Sequence, residues 1–265
     1  MPENEKVAFQ DIRKRPFLEN HILSSLRPDG RTVFNGAFAE KSLAMSQTDT
    51  DFTPTARTRV KRSHQRGHYD RATVYGILDA GLMCHVGYVI DGQPYVTPTA
   101  YWREGDKVYW HGSSASKMLR HLESGPRVCF TVALMDGLVL ARSGFHTSVN
   151  YRSVIAMGVA EVIGGEAEKL ASLEAMMERI VPGRWPTLRP ANKQEIKATT
   201  VVSLKLEEVV AKVRSGPAID DAEDMDLDVW AGVVPTATVI GAAEDDPDLK
   251  AGVTQPPNLA KIRIG

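Results

Sequence analysis

Residues 82–112 constrain the fold more than any other stretch: LMCHVGYVI, the turn DGQP, YVTPTAYW, the turn REGD, then KVYWHG. Three short runs rich in β-branched and aromatic residues, punctuated by Asp-Gly and Gly-Asp, predict an antiparallel meander. A parallel sheet would need a crossover of a dozen or more residues between runs, and none fits there. After Ser114 the period changes, with Ala115, Met118, Leu119 and Leu122 at helical spacing until Gly125-Pro126 stops the helix.

The same reading extends both ways. Upstream, Asp70 is placed to cap a helix ATVYGILDA that Gly81 ends. Downstream, RVCFTVALMDGLVLARSG predicts a hairpin about Asp136-Gly137, and RSVIAMGVAEVI a further strand. Residues 165–181 are amphipathic, with Leu170, Leu173, Met176, Met177 and Ile180 on one face, and TTVVSLKL reads as a last strand. About six antiparallel strands with short turns, one helix inserted and one crossing the end, predict a small β-barrel of mixed α+β content.

Residues 1–56 lack a sustained period and read as a disordered or surface-draped leader, with Met45 as an alternative natural start. The barrel is expected over 57–214, followed by a polar, acidic tail over 215–265 that packs partly on it.

With 43% hydrophobic and 25% charged residues, the chain can bury one good core. A net charge of −1 gives no general reason to expect nucleic acid or an anionic membrane as partner. The charge is uneven, since Arg57, Arg59, Lys61, Arg62, Arg66 and Arg71 crowd one stretch and Asp220, Asp221, Glu223, Asp224, Asp226 and Asp228 another. These read as two solvated segments that face one another. Cys84 and Cys129 lie in apolar strand-like runs, as reduced core cysteines do. With no apolar leader and no run of membrane-spanning length, a cytoplasmic location is expected.

Several chemistries are set aside. Neither GxGxxG nor GxxxxGK[ST] occurs, which removes the common nucleotide motifs. His64 and His68 are four apart but lack a carboxylate in the HExxH position, so they read as a surface pair and no metal site is expected. Ser143 and His146 lack a GxSxG elbow.

Residues 109–118, YWHGSSASKM, end a strand on a glycine and gather three serines and a lysine before a helix. That arrangement suits an anion, most often a phosphate, because first-turn N–H groups, hydroxyls and an ammonium converge. The competing reading, Ser113 or Ser114 as a plain helix cap with Lys117 solvated, stands level with it on these residues alone.

The whole pattern from about Thr58 to Pro235 breaks that tie. QPYVTPT on one strand, YWHGS on the next, the helix entry SASKM and the later NYRSV strand, in this order, resemble the pyridoxamine 5′-phosphate oxidase-like family of FMN-binding split β-barrels. The likeness is to its flavin-nucleotide-binding branch, related to nitroimidazole-resistance reductases. The resemblance implies an FMN phosphate held by His111, Ser113, Ser116 and Lys117. It implies Val96, Thr97, Pro98 and Thr99 beside the isoalloxazine edge, Trp110 near the flavin or in the wall behind it, and polar contacts from Asn150, Arg152 and Ser153.

Arg142, Ser143 and His146 are then candidate substrate-facing groups. The resemblance also implies a homodimer with FMN at its interface. The chain departs from true pyridoxamine phosphate oxidases in having no histidine beyond His146, so their C-terminal arginine-x-histidine element is missing. The expected activity is an FMN-dependent oxidoreductase or flavin reductase, with NADH or NADPH as donor and an unknown small acceptor. A non-catalytic FMN module for storage or sensing is the alternative, and His85, His111 and His146 keep haem binding open.

Overall fold

The computed structural model describes residues 51–264. The expectations about Met45 and most of the leader fall outside them. The described end of that stretch is built into the domain: Phe52 is buried, its N–H donates to the Tyr69 carbonyl at 2.9 Å, and Arg71 covers its ring.

In chain order the elements are β1 (Gly67–His68), α1 (Arg71–Ala80), β2 (Met83–Ile90), β3 (Gln93–Glu104), β4 (Lys107–Ser113), α2 (Lys117–Leu122) and β5 (Arg127–Leu140). Then come β6 (Ser148–Val159), β7 (Glu161–Val162), α3 (Glu166–Ile180), α4 (Lys193–Ala198), β8 (Thr199–Lys205), β9 (Glu208–Arg214) and β10 (Gly232–Pro235). No helix among the described residues is long and apolar enough to cross a membrane.

Local chemistry accounts for the starts and turns. The Asp70 carboxylate accepts from the Thr73 N–H at 2.8 Å, and α1 buries Val74, Ile77 and Leu78 at i, i+3 and i+4. Between β2 and β3, Asp91 and Gly92 both take positive φ, 51° and 77°, the mark of a two-residue hairpin loop whose twist matches the strands.

All strand pairs are antiparallel, in the order β1-β9-β6-β5-β2-β3-β4-β8-β7, with β10 added to β5. β3 pairs with β2 through Ala100 and with β4 from Tyr101 onward. At that crossing Tyr101 and Trp102 are both buried, which breaks strict alternation: Tyr101 enters the barrel core and Trp102 enters a second cluster. Gly158 of β6 lies so close to β8 that an added Cβ would stand 2.8 Å from Leu204 Cδ1. The missing side chain lets β6 approach β8 and close the barrel.

Inside, Val86, Tyr101, Trp110, Phe130, Val154, Ala156, Val202 and Leu204 form the core, capped by α1 and α2. Outside β4 and β8, Trp102, Ile163 and Val201 pack against Tyr109 and against Leu173, Ala175 and Met176 of α3. The class is mainly antiparallel β with a few helices, a split barrel, as the sequence implies.

Two details differ from expectation. There are ten described strands rather than about six, because β1 and β7 are two-residue bridges, β9 follows a tight charged turn, and β10 lies in the polar tail. The expected hairpin at Asp136-Gly137 is absent: β5 runs straight through, with a register shift between Met135 and Gly137. Asp136 is bulged out and takes Arg152 through three charged hydrogen bonds of 2.8, 2.9 and 3.1 Å. Gly137 is there for proximity, since a Cβ would meet the Val234 carbonyl of β10 at 3.0 Å.

Candidate functional site

The β2–β3 hairpin brings Tyr88 opposite Tyr95, and their rings stack at 5.6 Å and 12°. The Tyr88 hydroxyl lies 3.0 Å from Thr97 Oγ1 on the same strand face. From the first residue of α2, Lys117 Nζ donates to the Tyr95 hydroxyl at 2.7 Å and sits 4.3 Å from the ring centroid. That hydrogen bond raises the Lys117 pKa further, so the ammonium is charged at neutral pH. It has no carboxylate partner among the described residues.

Beneath it, His121 of α2 lies 6.0 Å from the Tyr88 ring, with Nε2 buried and without a hydrogen bond. An exposed cation fixed over an aromatic pair, beside an unpaired imidazole nitrogen, is suited to an anionic group. The helix itself adds little, because α2 is short and neither serine acts as a cap through its side chain: Ser116 is the N-cap without a side-chain bond, and Ser113 Oγ accepts from the Ala115 N–H.

The structure separates the other expected residues. His111 points to the opposite side of β4, 6.1 Å from Trp102, with Nδ1 buried and unpaired; burial lowers its pKa and keeps it neutral. Trp110 is fully buried in the barrel, 6.1 Å from Phe130, as a core residue is. Along β3, Val96 and Pro98 are exposed on one face while Thr97 and Thr99 turn to the other.

Asn150 donates to the Gly216 carbonyl and accepts from Arg214, Arg152 is engaged by Asp136, and Ser153 donates to the Lys212 carbonyl. Arg142 pairs with Asp220 at 3.0 Å. His146 Nε2 lies 3.1 Å from Asp221, which raises its pKa, while Ser143 Oγ accepts only from the His146 backbone N–H. That is no Ser-His relay, since the ring does not reach the hydroxyl. The acidic stretch thus engages Arg142 and His146, whereas Arg57 of the basic stretch pairs with Glu208.

Cross-strand partners share a face, so Pro98, His85, Thr131 and Ile155 form one row on the outer side of the sheet, and Val96, Gly87, Cys129 and Met157 the next. This face is apolar and uncovered: Met83 is 55%, Val96 67% and Met135 53% exposed. His85 stands in its middle, exposed and without a hydrogen bond among the described residues. Cys84, its neighbour, points inward to the core, where burial pushes the thiol up to about 12.

A cavity of about 830 Å³ lies elsewhere, between α3 and residues 185–195, and none of the expected cofactor residues lines it. No group of three or more metal-ligating side chains occurs among the described residues.

Sequence reasoning missed Tyr88, Tyr95 and His121. The two tyrosines were within reach, because folding the chain about Asp91-Gly92 sets 88 opposite 95.

Comparison with known proteins adds the following. A family model described as pyridoxamine 5′-phosphate oxidase matches residues 70–213. No curated protein matches. Among solved structures, the flavocytochrome Anf3 from Azotobacter vinelandii is 46% identical with a TM-score of 0.78, covering 81% of this chain and 100% of its own. The FAD and heme binding protein from Mycobacterium smegmatis is 34% identical with a TM-score of 0.72, covering 75% of this chain and 97% of its own.

Proposed function

The chain belongs to the pyridoxamine 5′-phosphate oxidase family, and from that premise we propose that it is a flavin-binding redox protein that also carries a haem. The observation that carries the flavin half is the Lys117–Tyr95 pair: a fixed, unneutralised ammonium at the strand-to-helix junction where a flavin phosphate is expected. His121 supplies a second nitrogen without a partner. These residues fit a phosphate. The outward Val96 and Pro98 offer an apolar edge against which a flat ring can lie. FMN is the proposed flavin; FAD, named for the Mycobacterium smegmatis relative, is the competitor that analysis of the released cofactor separates from it.

When bound, the flavin supplies the electron-transfer chemistry. This chain's contribution is to hold the phosphate, exclude water from one side with the apolar sheet face, and keep Lys117 protonated beside the anion. For haem, both relatives named above are described by that group or as a flavocytochrome, and His85 fits the role of ligand best. It presents an imidazole without a hydrogen bond on an apolar face, whereas His146 is held by Asp221 and His111 is half-buried beside Trp102.

The same face supports a homodimer, since covering Met83, Val96 and Met135 with a second copy would remove apolar surface from water. The proposed reaction is reduction of a small acceptor with NADH or NADPH as donor, in the cytoplasm, and not oxidation of pyridoxamine 5′-phosphate.

The test is an absorption spectrum of the purified protein, anaerobic addition of NADH and NADPH, and chromatography of the released flavin. Flavin bands that bleach with a donor, together with a Soret band, support the reading. Flavin that stays oxidised points to a storage or sensing module. Protein that takes up neither group when supplied refutes it.

A further inference from the structure

We propose a second anion site, for the phosphates of a nucleoside diphosphate, in the basic cavity at the β9 flank of the sheet. The cavity, about 490 Å³, is lined by Arg62, Arg66, Lys212 and Arg214, with the hydroxyls of Ser63 and Ser148. It forms because β1 pairs with β9, Gly67 opposite Lys212, and so draws the turn over residues 62–66 against the end of β9. Ser63 enters that turn in the left-handed region, at φ 52°.

Four cations are gathered there without a neutralising carboxylate among the described residues. Several arginines elsewhere are paired with carboxylates: Arg57 and Arg127 share Glu208, Arg152 has Asp136 and Arg189 has Glu195. Of the acids beside His146, Asp220 is committed to Arg142 and Asp221 to His146 itself.

Arg214 is the telling member. It is only 7% exposed, and its guanidinium donates to the Asn150 side-chain oxygen at 2.5 Å, while the Asn150 amide donates to the Gly216 carbonyl at 3.0 Å. A neutral amide orients this charge without cancelling it. Burying a cation so, beside three others, is costly unless an anion completes the site.

The rim suggests what the anion is attached to. Phe145 is 91% exposed, its ring edge-on to His146 at 5.2 Å, and Ile219 beside it is 74% exposed. Arginine forks match phosphate geometry and an exposed aromatic ring stacks a base, so a nucleotide satisfies both halves. The site is separate from the Lys117 cluster: Lys212 lies on β9, at one flank of the sheet, and Tyr95 on β3, across β6, β5 and β2. The inference does not rest on the flavin reading.

The experiment is calorimetric titration of the full chain, loaded with its flavin, using ADP, adenosine and inorganic phosphate. ADP is expected to bind, with adenosine and inorganic phosphate each at least tenfold weaker. Arg66→Ala and Lys212→Ala should each weaken ADP about tenfold or more, the scale of one charge-assisted hydrogen bond, with Arg66→Lys recovering part of the loss. Phe145→Ala should weaken ADP and leave inorganic phosphate unchanged. Flavin absorbance per chain should stay the same in every variant. ADP that does not bind, or binds the alanine variants equally, overturns the proposal. So does loss of flavin from Arg66→Ala and Lys212→Ala, which would make the cavity part of the flavin site.

Discussion

Lys117 and Tyr95 are joined twice, by a 2.7 Å hydrogen bond to the hydroxyl and by the ammonium standing 4.3 Å from the ring centroid. The side chain is exposed, yet its head is fixed, so the entropy of ordering it is spent before any ligand arrives.

Lys117→Ala should therefore weaken flavin binding about tenfold or more, the scale of a charge-assisted hydrogen bond, without altering the fold. Fluorescence titration of apoprotein with FMN measures it. His64→Ala, on the exposed turn before β1, should leave the affinity unchanged, and equal losses in both variants would remove the phosphate assignment.

His85→Ala should abolish the Soret band while leaving flavin absorbance intact. Haem is proposed on His85 and the flavin phosphate on Lys117, so the two losses should separate; a variant that keeps its Soret band shows that His85 is not the ligand.

Val96→Glu should split the proposed homodimer, as read by analytical ultracentrifugation. A charge at a position 67% exposed in the single chain would be desolvated once a second copy covers it. An unchanged sedimentation coefficient would remove this face as a subunit contact.

Gly137→Ala and Gly158→Ala should differ in cost. The first places a Cβ 3.0 Å from a backbone oxygen of β10, which has little room to yield; the second meets Leu204 Cδ1 at 2.8 Å, a side-chain end that can rotate. Thermal unfolding should show the larger loss for Gly137→Ala, about 1–3 kcal/mol, and release of β10 should be visible as new proteolysis after residue 231.

His111 sets a pH dependence. Burial lowers its folded pKa below the ordinary 6.5, so the unfolded chain binds the extra proton first as pH falls. Its contribution is present above pH 6.5 and is lost as pH drops from there toward the lowered folded value. His111→Gln should flatten the melting temperature across that window relative to the native chain, and a parallel slope in both would assign it to another group.

The strands and their turns were legible because the signals are local: Asp91-Gly92 needs two positive φ values, and Asp70 needs only Thr73 to cap a helix. The hairpin expected at Asp136-Gly137 shows the limit. The same dipeptide serves here as a bulge, and what decides between them, Arg152 taking Asp136 and β10 crossing Gly137, lies far along the chain. The site was legible in part for the same reason. Lys117 stands in a local motif, whereas the separation of His111 from it depends on which side of β4 each residue meets, a matter of packing against α3 and β8. The C-terminal tail read as polar and acidic, packing partly on the barrel; that Gly232–Pro235 completes a ladder with β5 depends on backbone groups that composition does not reveal.

β3 is a shared beam. Its first half carries Tyr95 and Val96 against β2, and its second half carries Trp102 against β4, with the handover at Ala100 and Tyr101. A displacement at one end cannot be absorbed by slippage between two independent strands, so the tyrosine cluster and the layer under α3 must move or hold together. Amide hydrogens from Val96 to Arg103 should then exchange as one cooperative block, and a ligand that clamps the Tyr95 end should slow exchange at the Trp102 end, where it makes no contact.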